Sequence, residues 1–138
     1  MSDKGWQPRF TPAPSDLAAE FYAHCAKGEL RFQRCTNCGT WRHPPRVLCP
    51  KCASEGVEWA RSSGRARLFS WTVTHQLIVP NFAEDLPYAV IVAELEEGPR
   101  LVSGLRGLPT SELALDLPLE VGFEKVSDTI GLHYFRPR

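Results

Sequence analysis

The stretch RCTNCGTWRHPPRVLCPKC, residues 34–52, holds four cysteines in two identically spaced pairs. Cys35-x-x-Cys38 and Cys49-x-x-Cys52 are separated by ten residues. Each Cys-x-x-Cys turn brings two sulfurs to one side. Two such turns facing each other complete a tetrahedron, with a zinc ion about 2.3 Å from every sulfur. Gly39, directly after Cys38, accepts the positive φ that turns backbone N–H groups toward the thiolates. Pro44-Pro45 stiffens the loop between the pairs. With cysteine at all four positions the site is closed, whereas a catalytic zinc keeps a position open for water. The reading is therefore a structural Zn(2+) that replaces a core so short a segment cannot build. His43 is expected to pair with the thiolate shell or with solvent. A rubredoxin-like iron centre uses the same ligands and stays open as an alternative, which would make the chain an electron carrier.

Outward from the cysteines the chain changes character. On the N-terminal side, ELRFQRC alternates as a short strand feeding the first pair. Before it, Ser15 is a candidate N-cap, with Asp16 in the first turn. Leu17, Phe21 and Cys25 then follow on one helical face and Gly28 supplies the stop. Cys25, the fifth cysteine, reads as a small buried hydrophobe rather than a ligand. Residues 1–14 contain three prolines and no periodicity. They read as an extended arm, with Trp6 and Phe10 as possible anchors. On the C-terminal side, residues 53–63 lead the chain out, and Trp59 is expected to cover the seam with the next module.

After Gly64 the pattern is all strand. RARLFSWTVTH alternates, placing Arg67, Phe69, Trp71 and Val73 on one expected face. YAVIVAEL, RLVSGLRG, LEVGFEKV and LHYF supply four further strands, and GLPTSELALDLP leaves room for a helical turn. Gly104 and Gly122 lie inside strands, where glycine marks a bulge or a barrel corner. Five strands in so short a chain suit a closed barrel, which removes the exposed edges. The spacing resembles an OB-fold, and a five-stranded barrel of another topology would show much the same pattern. The predicted class is mainly β: an N-terminal helix at 15–30, a rubredoxin-like zinc ribbon at 31–63 and an OB-fold barrel at 64–138.

Composition narrows the functions. Net charge is zero over 138 residues, so there is no global attraction for nucleic acid. The halves differ, however. Residues 1–67 carry eleven Lys/Arg against six Asp/Glu, and residues 68–138 carry five against ten. The basic residues beside the cysteines offset a charged thiolate cage as readily as they bind phosphate. No apolar run is long enough to span a membrane, the N-terminus lacks a secretory segment, and free thiols fit a reducing cytoplasm. Phosphate-binding glycine loops, Gly-x-Ser-x-Gly and His-Glu-x-x-His are all missing, and the four histidines are dispersed. No autonomous catalysis is indicated. The linker HQLIVPNFAEDLPY is unusual in being apolar, with Leu77, Ile78, Val79, Pro80 and Phe82. Connections normally run polar over the surface. Such a stripe suits a protein partner or an acyl chain.

From Phe21 onward the chain resembles a known family. The segments GELRFQRCTNCGTWRHPPRVLCPKC, GRARLFSWTVTH, PYAVIVAELEEGPRLVSGLRG, LPLEVGF and YFRPR together look like the zinc-ribbon/OB-fold proteins once filed as a domain of unknown function and now called acyl-CoA-associated. The most specific marks are Gly-Glu-Leu before the first cysteine, Pro-Pro-Arg between the pairs and Pro-Tyr at the second barrel strand. The resemblance implies a non-catalytic accessory subunit. Its partner would be a thiolase-like enzyme of the lipid-transfer-protein type, or a hydratase, acting on acyl-CoA thioesters that include steroid side chains. It carries the metal onto Cys35, Cys38, Cys49 and Cys52. For CoA phosphates, Arg42, Arg46, Arg65 and Arg67 are candidates on charge alone. For the partner or acyl chain the candidates are Phe21, Tyr22, Leu77, Ile78, Val79 and Phe82. The competing class is a single-stranded nucleic-acid module, since ribbons and OB barrels both serve that role. Phe69, Trp71 and Tyr88 would then stack bases, but the acidic barrel half opposes polyphosphate.

Overall fold

In the computed structural model, which describes residues 12–78 and 80–138, the helix forms as α1 (Asp16–Ala26). Trp6, Phe10 and Val79 lie outside the described residues. Ser15 has the extended backbone of an N-cap, yet its side chain makes no capping bond. Its carbonyl instead accepts from the N–H groups of Ala18 and Ala19. Gly28, at φ +76°, ends the helix, and the N–H of Glu29 returns to the carbonyl of His24. Phe21 and Cys25 are buried on the core-facing side, as the spacing predicts. Burial pushes the Cys25 thiol up to about 12, so it stays protonated and packs as an apolar group.

The ribbon is a three-stranded antiparallel sheet ordered β2-β1-β3, with β1 at Arg31–Cys35, β2 at Trp41–Arg42 and β3 at Val57–Arg61. The segment read as a mere exit from the metal module is thus a full strand, paired with β1 from Arg31↔Arg61 to Cys35↔Val57. Trp59, on β3, is half-buried and lies 5.3 Å from the His24 ring, against the helix.

The remaining strands are β4 (Arg65–Thr74), β5 (Tyr88–Leu95), β6 (Arg100–Leu105), β7 (Pro118–Lys125) and β8 (Gly131–Pro137). They close into a barrel in the order β4-β5-β6-β8-β7, with β4 pairing back onto β7. The one parallel seam among these described strands joins β6 to β8. This is the five-stranded OB topology, which settles the choice of barrel. The expected face of β4 needs correction. Register slips between Leu68 and Ser70, so Phe69 is an extra residue and the alternation changes phase there. Leu68 is fully buried while Arg67 points to solvent, and Trp71 packs on the core beyond the bulge. Gly104 sits where β6 stops pairing with Val90 of β5 and meets Tyr134 of β8. Gly122 is buried beneath Tyr134, whose ring occupies the place of a Cβ. The long connections contain 3-10 turns at Pro80–Asp85 and Thr110–Glu112.

One buried cluster unites the modules. Phe21 and Cys25 of α1, Leu30, and Phe32 of β1 are contiguous with Leu68, Ile91, Ala93, Leu101, Leu119 and Phe135 of the barrel. The ribbon is therefore fastened to the barrel through apolar contact and not only through the chain.

Candidate metal centre and partner surface

The two cysteine turns are near copies of each other. In the first, the N–H of Cys38 points at Cys35 Sγ (3.4 Å) and the N–H of Gly39 donates to the Cys35 carbonyl (2.9 Å). In the second, the N–H of Lys51 points at Cys49 Sγ (3.4 Å) and that of Ala53 donates to the Cys49 carbonyl (2.9 Å). Gly39 has φ +77°, as expected, and Ala53 takes the equivalent position at φ +61°, a conformation alanine adopts at some cost.

All four sulfurs lie within 4.8 Å of one another. Cys35 and Cys52 are 3.5 Å apart, and Cys38 and Cys49 are 3.6 Å apart. A tetrahedral ZnS₄ unit with bonds of about 2.3 Å has edges of about 3.8 Å, so the cage fits the ion. Further donors surround it: Asn37 Nδ2 reaches Cys52 Sγ at 3.4 Å, and Thr40 Oγ1 lies 3.1 Å from Cys38 Sγ. Backbone N–H groups hold the Cys35 and Cys49 thiols below their ordinary range, and the Thr40 hydroxyl does so for Cys38. Donors that stabilise thiolate are what a zinc site requires. The arrangement supplies four ligands and no open position, so its chemistry is to fix shape.

His43 is not beside the thiolates. Its ring lies 4.8 Å from Phe21 and 5.3 Å from Phe32, in the junction of helix, ribbon and barrel. Its Nδ1 is buried without a hydrogen-bond partner among the described residues, and desolvation lowers its pKa to about 4. His133 shares that environment. It is lowered to about 4 by burial and then by His43, and it shares a 2.7 Å hydrogen bond with Ser103 Oγ. This Ser–His pair is a buried packing contact with no carboxylate behind the imidazole among the described residues, and so neutral a histidine is a poor base.

The four arginine candidates do not converge. Arg42 is buried inside the ribbon, donating to Gln33 Oε1 (2.8 Å) and to the Arg46 carbonyl (3.1 Å). A ligand phosphate has no access to it. Arg46 and Arg65 are exposed, on different modules. Arg67 is held between Glu94 (2.7 Å) and Asp116 (2.6 Å). Among the apolar candidates, Phe21 is a core residue at 4% exposure and is corrected accordingly. Tyr22 is half-buried, edge-on to Phe21. Phe82 packs against Tyr88 at 6.0 Å. Leu77 and Ile78 remain open to solvent, at 53% and 72%. Val47 and Leu48, in the loop before Cys49, are also exposed. Their proline and arginine neighbours give that loop a polar look in the sequence.

A closed thiolate ribbon fastened to a five-stranded barrel defines a zinc-ribbon/OB-fold protein. Residues 23–58 match the family described as "ChsH2, rubredoxin-like zinc ribbon domain", and residues 59–124 match "ChsH2, C-terminal OB-fold domain". The chain belongs to this ChsH2 (DUF35) family. It is 32% identical over 97% of its length to a probable enoyl-CoA hydratase alpha subunit of Thermomonospora curvata, of which that match covers 41%. It is 33% identical over 81% of its length to the 3-oxo-4,17-pregnadiene-20-carboxyl-CoA hydratase alpha subunit of Mycobacterium tuberculosis, of which 35% is covered. The chain thus spans less than half of either relative. A DUF35 domain-containing scaffold protein of Methanocaldococcus jannaschii is 30% identical over 69% of this chain and 67% of its own length. Among solved structures, a chain of an Ltp2-ChsH2(DUF35) aldolase superposes with a TM-score of 0.83 at 31% identity, covering 92% of this chain and 98% of that one.

Proposed function

We propose that this chain is a non-catalytic accessory subunit that assembles with a thiolase-like enzyme of the lipid-transfer-protein type and helps it handle acyl-CoA thioesters, including steroid side-chain substrates. The observation that carries the reading is the likeness to the Ltp2-ChsH2 aldolase chain, which covers nearly the full length of both. The site supports it: a closed metal cage, no nucleophile–base set open to solvent among the described residues, and apolar Leu77 and Ile78 held out from the barrel. The chemistry then belongs to the partner, and this chain supplies a rigid docking face. A hydratase partner is the second reading, favoured by the two hydratase alpha subunits among the relatives. The packing of the candidate stacking residues weighs against the nucleic-acid alternative. Phe69 lies under the Arg100 guanidinium at 3.8 Å, Tyr88 is packed by Phe82, and Trp71 faces the core.

Co-expression with thiolase-fold and hydratase-fold candidates, followed by size-exclusion chromatography with light scattering, tests the assembly. A stoichiometric hetero-complex that turns over an acyl-CoA while the isolated chain does not is expected. Turnover by the isolated chain would overturn the reading. Ile78→Glu places a charge on the exposed stripe without touching the core, and should weaken assembly at least about tenfold while leaving zinc content unchanged.

A further inference from the structure

A cleft of about 730 Å³ runs along the junction of ribbon and barrel, bounded by the α1–β1 turn, the end of β3 and strands β7 and β8. Its size is that of a small-molecule site, and junctions between modules are where such sites concentrate. Val121 and Phe123 give it an apolar lining over the buried Leu30, and Arg61, Tyr134 and Arg136 a cationic and hydroxylic one. No carboxylate is among the residues that line it.

The cations are available to a ligand. Arg61 is 62% exposed, and among the described residues its ion pair is with Glu29 at 3.7 Å. Arg136 spends its Nε on Glu120 (2.9 Å), and its Nη1 lies over Gly122 beside the Tyr134 ring. Tyr134 is fixed in turn by the Arg106 guanidinium, 4.0 Å above its ring. Gly122 is required here, because any Cβ would run into Tyr134 and Arg136. The hydroxyls of Ser62 and Ser63 already donate to Glu97 and Glu96, which leaves the two guanidiniums and the Tyr134 hydroxyl as the side-chain donors toward the cleft.

The geometry points to a phosphate-binding cleft that takes the phosphorylated nucleoside end of an acyl-CoA. Arg61 and Arg136 clamp phosphate oxygens, and the Val121/Phe123 lining receives the apolar face of the nucleoside. Arginine suits this role, since its planar fork meets phosphate oxygens in pairs. Arg42, Arg46, Arg65 and Arg67 do not line this cleft, and Arg61 and Arg136, far apart in sequence, meet only at the folded junction of ribbon and barrel. The identity of the ligand rests on the proposed function; the anion site itself does not.

Calorimetric titration of the full zinc-loaded chain with adenosine 3′,5′-bisphosphate tests it, with adenosine as the control. Binding of the bisphosphate that weakens with salt, without binding of adenosine, is expected. The Arg61→Gln/Arg136→Gln double variant should lose at least about tenfold in affinity. Arg61→Gln alone, at an exposed position, guards against a folding defect and should lose part of it. No binding at millimolar bisphosphate, or equal affinity in the double variant, overturns the cleft. A chain that binds bisphosphate yet assembles with no enzyme keeps the cleft and loses the proposed function. One that assembles without binding bisphosphate does the reverse.

Discussion

Cys38 shows how far one side chain reaches. Its sulfur lies 3.6 Å from Cys49 Sγ and 3.1 Å from the Thr40 hydroxyl, and it completes a cage whose metal stands in for a ribbon core. Cys38→Ser should drop bound zinc well below one per chain and abolish assembly, measured by metal analysis and gel filtration. Wild-type zinc content in the variant would count against the four-thiolate site. His43 and His133 carry a different consequence. Both are buried neutral, with pKa lowered from 6.5 to about 4. Between those values the unfolded chain binds more protons than the folded one. Stability is therefore whole above pH 6.5 and declines as pH falls toward 4, by on the order of 3 kcal/mol per imidazole. His43→Leu removes one of the two groups and an unpartnered buried nitrogen. Its stability should fall less steeply than wild type across that window, by up to about 1.4 kcal/mol per pH unit. Denaturant unfolding of both proteins at a series of pH values reads this directly, and equal slopes would refute it.

At the scale of elements, Gly131 is where helix and barrel touch. A Cβ there would meet the backbone of Cys25 and Ala26, so β8 is pressed against the end of α1 with no room for a side chain. Gly131→Ala should cost about 2 kcal/mol in chemical denaturation by forcing the two apart. A variant as stable as wild type would mean the contact yields freely. Nothing local in the sequence marks this glycine, because the reason for it lies a hundred residues away. The same distinction separates what was legible from what was not. The metal ligands, the helix face of Phe21 and Cys25, and all five barrel strands rest on spacing or alternation within a few residues, and these can be read directly. The β4 bulge at Phe69 is set by its pairing with β5, the strand β3 by its pairing with β1, and the burial of His43 by Phe21 and Phe32. Such features depend on neighbours in space. The same holds for Arg42, whose charge is taken up by its spatial partners Gln33 and the Arg46 carbonyl.

For the whole molecule, the shared core decides how the parts behave together. Phe32 of the ribbon and Phe21 of the helix are packed into the same cluster as Leu68, Ile91 and Phe135. Ribbon and barrel should thus unfold in one calorimetric transition, with the van't Hoff enthalpy equal to the calorimetric one. Two resolved transitions would show that the modules are independent. A molecule that melts as a unit also holds its ribbon loop and the Leu77/Ile78 segment in a set relation, which is what a docking face requires.

The placing of β8 has a consequence for biosynthesis. It comes last in sequence among the described strands, yet it is inserted between β6 and β7 and carries both Phe135 and the glycine against which α1 rests. A nascent chain still lacking it presents an open seam and an uncovered helix, however early its zinc cage has closed. The helix, made early, must wait for a strand made much later before either can settle.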